Sequence, residues 1–89
     1  MDTPTPPPDL GRLFNKQGDL VSMPVKEPLR VQLLTWIAST LPTGDLPETQ
    51  INAALRPIHP DVAMLRRYLV DYGLVERPEP GVYRIPPSE

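Results

Sequence analysis

The chain contains no cysteine. Disulfides, thiolate metal ligands and cysteine nucleophiles are excluded with it, and the composition fits a reducing compartment. Histidine is nearly absent too, with His59 alone. Together with Asp61 it makes two ligands at most, short of the three or four that a zinc site uses. The five glycines form no phosphate-cradling loop, and no nucleophile stands paired with a base. No enzyme activity, metal or cofactor is therefore expected. A basic excess is also lacking: the net charge is −2, so any pull toward nucleic acid must come from a local patch. The longest apolar-rich run, residues 29–41, is interrupted by Arg30, Gln32, Thr35, Ser39 and Thr40, which makes it too short and too polar to span a bilayer. The N-terminus lacks the basic and apolar regions of a signal peptide. The expectation is a cytoplasmic protein with no membrane partner, either a monomer or a weak homodimer.

What the chain has in quantity is proline, 14 residues in 89, and most of them fall between periodic segments, where they mark boundaries. Residues 1–8 carry Pro4, Pro6, Pro7 and Pro8 and read as a disordered proline-rich tail. Residues 9–86 read as a single domain. A chain of this length buries only roughly 60–65% of its unfolded surface, so its core must be economical.

Asp9 is placed to cap a short helix with Leu10, Leu13 and Phe14 on one face, broken by Gly18 and Asp19. Residues 20–24 then run extended against the main domain, since Pro24 keeps Met23 out of the helical region. Pro28 suits the first turn of the next helix, whose Leu29, Leu33, Trp36, Ile37 and Leu41 form one apolar stripe with Arg30, Gln32 and Ser39 opposite. Leu46 is expected in a strand of one or two residues. Pro47 opens a short helix to Leu55 with Ile51, Ala54 and Leu55 inward, and Arg56, Pro57 and Ile58 form the turn after it. A third helix follows, capped by His59 or Asp61, with Val62, Leu65, Leu69 and Tyr72 as its buried face and Gly73 as its stop. Residues 74–77 and 82–85 are strand-like around the turn Pro78, Glu79, Pro80, Gly81.

The second helix is too short for an up-down bundle. The order instead predicts an α+β, winged-helix-like domain: a three-helix core with a C-terminal β-hairpin over its open side, and Leu46 as a candidate third edge. A small α+β domain of another topology is the alternative.

Several blocks carry a family resemblance. They are Gly18-Asp19-Leu20 with Met23-Pro24-Val25-Lys26, then Glu48-Thr49-Gln50-Ile51-Asn52, then Leu65-Arg66-Arg67-Tyr68-Leu69-Val70-Asp71-Tyr72-Gly73-Leu74, with Gly81-Val82-Tyr83-Arg84 at the end. Over about residues 10–85 the chain resembles the bacterial family known as "domain of unknown function 2087", and the Leu-Arg-Arg-x-Leu-Val-Asp block is the most specific piece. Members occur alone or fused behind helix-turn-helix regulators of the arsenic-repressor type. The resemblance thus implies a place near transcription, and it brings no established activity.

The candidate site follows from charge. Residues 56–84 hold five arginines (Arg56, Arg66, Arg67, Arg77 and Arg84) against four carboxylates, a net of +1, while the remainder holds four positive and seven negative charges, a net of −3. In a winged helix the third helix meets the major groove and the wing reaches phosphate. These five arginines are therefore the candidate nucleic-acid contacts, with DNA as the partner ahead of RNA. The structural alternative pairs Arg67 with Asp71 at i, i+4 and Arg66 with Glu48 or Asp61. A second functional reading makes the domain a protein-interaction winged helix, with Met64, Tyr68 and Val70 as its exposed apolar contacts. Glu48 and Asn52 share a helix face, and Tyr72 and Tyr83 are expected in packing roles. The deciding feature is whether Arg66 and Arg67 stand in water or turn inward.

Overall fold

The computed structural model describes residues 6–87. Residues 1–5 of the expected tail lie outside the described residues, and Pro8 already belongs to a 3₁₀ helix, Pro8–Leu13. Pro7 stands at the cap of that helix and Asp9 inside its first turn, so the expected Asp9 cap is not formed. A proline-led entry leaves fewer amide donors in need of a cap. Leu10 is buried, and Phe14 packs edge-on to Trp36 with ring centroids 5.6 Å apart. The Asn15 side chain accepts from the amides of Gln17 and Asp19, both at 2.9 Å, and this turns the chain back through Gly18. The Leu20 amide then donates to the Ile58 carbonyl at 2.7 Å. The N-terminal segment is thereby tied to the main domain, as the sequence predicts.

Pro28 sits in the first turn of α1, Glu27–Ser39. Leu33, Leu34 and Ile37 of this helix are completely buried, whereas Leu29 and Trp36 are only half-buried. The buried face therefore takes in Leu34, and the helix packs against α3 and, through Trp36, against Phe14 of the N-terminal segment. Arg30 is the larger correction. It does not point away from the core. Its Nε donates to the Pro24 carbonyl at 3.0 Å, Nη2 to the Val25 carbonyl at 3.1 Å and Nη1 to the Tyr72 hydroxyl at 3.2 Å. One guanidinium so fastens the extended segment to the end of the third helix.

The strand predicted around Leu46 is four residues long, β1, Gly44–Pro47. Pro47 caps α2, Glu48–Leu55, which buries Ile51 and Leu55. Ile58 in the following turn is buried as well, a core position that no periodic pattern marks. At α3, Val62–Asp71, the cap is Asp61, whose Oδ1 accepts from the Met64 amide at 3.1 Å. His59 supports that cap, since its Nδ1 accepts from the Asp61 amide at 2.9 Å. Leu65 and Leu69 are fully buried, and Val62 and Tyr72 pack at the edge of the core.

Helix α3 ends in a Schellman motif: the Gly73 amide donates to Val70 and the Leu74 amide to Leu69, both at 3.0 Å, with Gly73 at φ 73°. Gly73→Ala places a side chain in the left-handed region and is expected to cost about 1 kcal/mol. A urea melt of that variant checks it, and an unchanged midpoint would contradict the motif's role.

The hairpin consists of β2, Glu76–Glu79, and β3, Val82–Ile85. Its first strand starts two residues later than the sequence suggests, and its turn is only Pro80 and Gly81, with Gly81 at φ 82° as a type II turn requires. The pairings Glu76 with Arg84 and Glu79 with Val82 leave one extra residue in β2, a β-bulge next to Pro78. The sheet order is β1-β3-β2, antiparallel throughout, so Leu46 does supply the third strand. Leu46 lies opposite Tyr83 on the inner face, and Asp45 lies opposite Arg84 on the outer face. The Glu48 amide donates to the Gly81 carbonyl at 2.9 Å, which joins the start of α2 to the hairpin corner. No helix among the described residues is long and apolar enough to cross a membrane.

Candidate functional site

The Leu65 and Leu69 face of α3 fills the core, so the rest of its circumference is available for a site. Ala63, Arg66, Arg67, Val70 and Asp71 form one wall of a cleft of about 320 Å³, and Glu48 of α2 with Arg77 and Tyr83 of the hairpin close it. The cleft exists because α2 and the hairpin meet at the Glu48–Gly81 bond while α3 crosses beneath them. Three of the five candidate arginines thus come together in space. Arg56 lies outside the cleft on the turn after α2, exposed. Arg84 lies on the outer face of the sheet.

The five arginines differ in how far their charge is already used. Arg66 is turned inward, with a side chain 16% exposed. Its Nη1 donates to the Tyr83 hydroxyl and pairs with Glu48 Oε1, each at 2.8 Å. Of the partners open to Arg66 in the sequence, Glu48 is the one the fold selects, because α2 and α3 face each other there. The Nε of Arg66 and the Oδ1 of Asn52 are buried without a protein partner. Arg67 is exposed and takes part in none of the ion pairs among the described residues, so the expected bridge to Asp71 is not made. Arg77 is likewise outside those pairs, and its guanidinium carbon lies 5.9 Å from the Tyr83 ring centroid, against 5.5 Å for Arg66. Such cation–π contacts leave the N–H donors at the guanidinium edge available to a ligand.

Arg84 is held by Asp45 at 2.8 Å and, more loosely, by Glu76 at 3.8 Å. The hydrogen bond from Arg84 lowers the Asp45 pKa below the ordinary carboxylate value. A lowered folded-state value stabilises the fold above the ordinary carboxylate pKa, and this contribution is lost as pH falls through the lowered one. The stability difference between wild type and Arg84→Gln is therefore expected to be constant near neutrality and to vanish in acid. Thermal melts across that range test this, and a difference independent of pH would overturn the assignment.

The alternative apolar contacts do not stand out in water. Met64, Tyr68 and Val70 are half-buried and packed against the core, and Tyr68 lies beneath the Arg30 guanidinium at 5.5 Å. Helical spacing alone could not show this, since the covering Arg30 belongs to a different helix. The large exposed apolar side chains are Val21, Val25 and Val31, with Val25 88% exposed. They lie on the extended segment and on α1, where no sequence pattern marks them as contacts. No group of three metal-ligating side chains occurs among the described residues.

Fold and site together define a small α+β domain with an arginine-lined cleft between its third helix and its hairpin. The chain belongs to the bacterial family described as "Uncharacterized protein conserved in bacteria (DUF2087)", which matches residues 19–85. The match takes in α1 to β3, and hence every residue that lines the cleft. Nothing matches among curated proteins or among solved structures.

Proposed function

We propose that this is a winged-helix domain that binds nucleic acid in transcription, a binding module and not an enzyme. The observation that carries the reading is the pair Arg67 and Arg77. One comes from the third helix and the other from the hairpin, both are exposed, and both line one cleft without an internal carboxylate partner among the described residues. In a winged helix these are the positions of groove helix and wing. DNA is favoured over RNA because the B-form major groove admits a helix and the deep, narrow A-form groove does not. Arg56 adds a phosphate contact from the turn before α3. Arg66 and Arg84, already paired, orient the cleft and the sheet.

The test is a fluorescence-anisotropy titration with duplex DNA at about 50 mM salt, where phosphate contacts are strongest. Wild type is expected to bind. Arg67→Ala with Arg77→Ala is expected to make the slope of log K against log salt shallower by about 2, since each phosphate left without its arginine removes about 0.9 from the slope. No binding by wild type under those conditions overturns the proposal.

A second reading, a protein-interaction domain, is favoured by the internal neutralisation of Arg66 and Arg84 and by the exposure of Val21 and Val25. It predicts a mass that rises with concentration in sedimentation, with Val25→Ser abolishing the rise.

A further inference from the structure

Glu48 holds one of the cleft's three guanidiniums. It is the first residue of α2, its side chain is 44% exposed, and it lines the cleft together with Arg66, Arg67 and Arg77. Its Oε1 lies 2.8 Å from Arg66 Nη1, the same nitrogen that donates to Tyr83. Besides Asp71, the cleft thus contains an anion already paired with Arg66, whereas Arg67 and Arg77 take part in none of the ion pairs among the described residues. With Glu48 and Asp71 counted, its charge is about +1; with Glu48 moved out, the three guanidiniums face Asp71 alone.

We propose that the cleft seats one phosphate group of a nucleic-acid backbone, and that Glu48 is a built-in competitor which phosphate displaces from Arg66. The inference rests on the nucleic-acid reading and adds the seat and its competitor. Three physical points favour phosphate. A carboxylate from solution would exchange like for like with Glu48, whose tethering gives it an effective concentration on the order of millimolar or more. A phosphate offers more oxygens, so it can accept from Arg66 while also reaching Arg67 and Arg77, and charge-assisted bonds of this kind are the strong ones. The cleft volume, about 320 Å³, lies at the lower end of the range for small-ligand sites, which suits a phosphate and its sugar flank.

The experiment is calorimetric titration of the full chain with inorganic phosphate, with acetate as the carboxylate control, on wild type, Glu48→Gln and Arg67→Gln/Arg77→Gln. Glu48→Gln keeps an acceptor for Arg66, and the two arginines of the double variant are exposed, so both variants are expected to fold, and circular dichroism confirms it. Phosphate is expected to bind Glu48→Gln about tenfold more tightly than wild type, a difference of about 1.4 kcal/mol. It is expected not to bind the double variant, and acetate is expected to bind none of the three. Equal or weaker phosphate binding by Glu48→Gln, phosphate binding retained by the double variant, or acetate binding as well as phosphate would each overturn the proposal. Duplex DNA separates this inference from the functional reading. DNA binding by wild type that Glu48→Gln leaves unchanged overturns the competitor and leaves the reading standing. Phosphate binding enhanced by Glu48→Gln, with no DNA binding by wild type, supports the seat and overturns the reading.

Discussion

Leu34→Ala is expected to destabilise the domain by about 2–5 kcal/mol, as much as Leu33→Ala does, because each removes a fully buried leucine and leaves a cavity. Net stabilities of small domains are only about 5–15 kcal/mol, and a short chain has few core residues to share the loss, so this single change threatens folding. Leu29→Ala is expected to cost much less, since Leu29 is half-buried. The comparison is informative because helical spacing alone ranks these positions the other way, with Leu29 in the stripe and Leu34 outside it. Chemical denaturation of the three variants decides the point. A Leu34→Ala protein within about 0.5 kcal/mol of wild type would mean that α1 does not present that side to the core.

Arg66→Ala is expected to cost about 1–3 kcal/mol, mostly through the Tyr83 hydroxyl. Tyr83 is 4% exposed and its hydroxyl loses the donor at 2.8 Å, and an unsatisfied buried polar group costs about that much. The ion pair with Glu48 adds less, because Glu48 is partly in water and exposed pairs are screened. Tyr83→Phe in a double-mutant cycle isolates the bond, with an expected coupling of at least about 0.5 kcal/mol. Arg67→Ala, one residue along the helix, is expected to leave stability within about 0.5 kcal/mol, as surface substitutions do. The two neighbours are thus expected to separate in what they contribute to the fold: Arg66 carries stability and Arg67 does not. Equal destabilisation by both would refute that separation.

The Leu-Arg-Arg-x-Leu-Val-Asp block is the most specific stretch in the chain, and its two arginines illustrate how far local information reaches. Most helix boundaries were legible because they depend on neighbouring residues alone, the exceptions being the Asp9 cap, which is not formed, and the choice of Asp61 over His59 at α3. Pro28 enters a helix where a missing amide costs nothing, Asp61 caps one, and Gly73 leaves one through the left-handed region. The presence of a hairpin was legible for the same reason, since glycine and proline between β-rich runs are a local signal. The turn expected over residues 78–81 nevertheless tightens to Pro80 and Gly81, and the first strand runs over Glu76–Glu79, once β2 pairs with β3. The family pattern was legible in the same residues, and it covers the whole helix-to-hairpin unit.

Other features depend on residues far apart in the chain. Arg30 reads as an outward residue until Tyr72, forty-two positions on, is brought beside it. Leu34 joins the core as α1 packs against α3, Ile58 is tied to the N-terminal segment through the Leu20 amide, and β1 reaches four residues because β3 lies beside it. Local chemistry therefore specifies the elements, their order and the presence of arginines around α3. Which of those arginines is spent and which is free is settled by long-range packing. Arg66 meets Glu48 because α2 crosses α3 at that level, while Arg67, turned about 100° around the helix axis at 3.6 residues per turn, faces the open cleft.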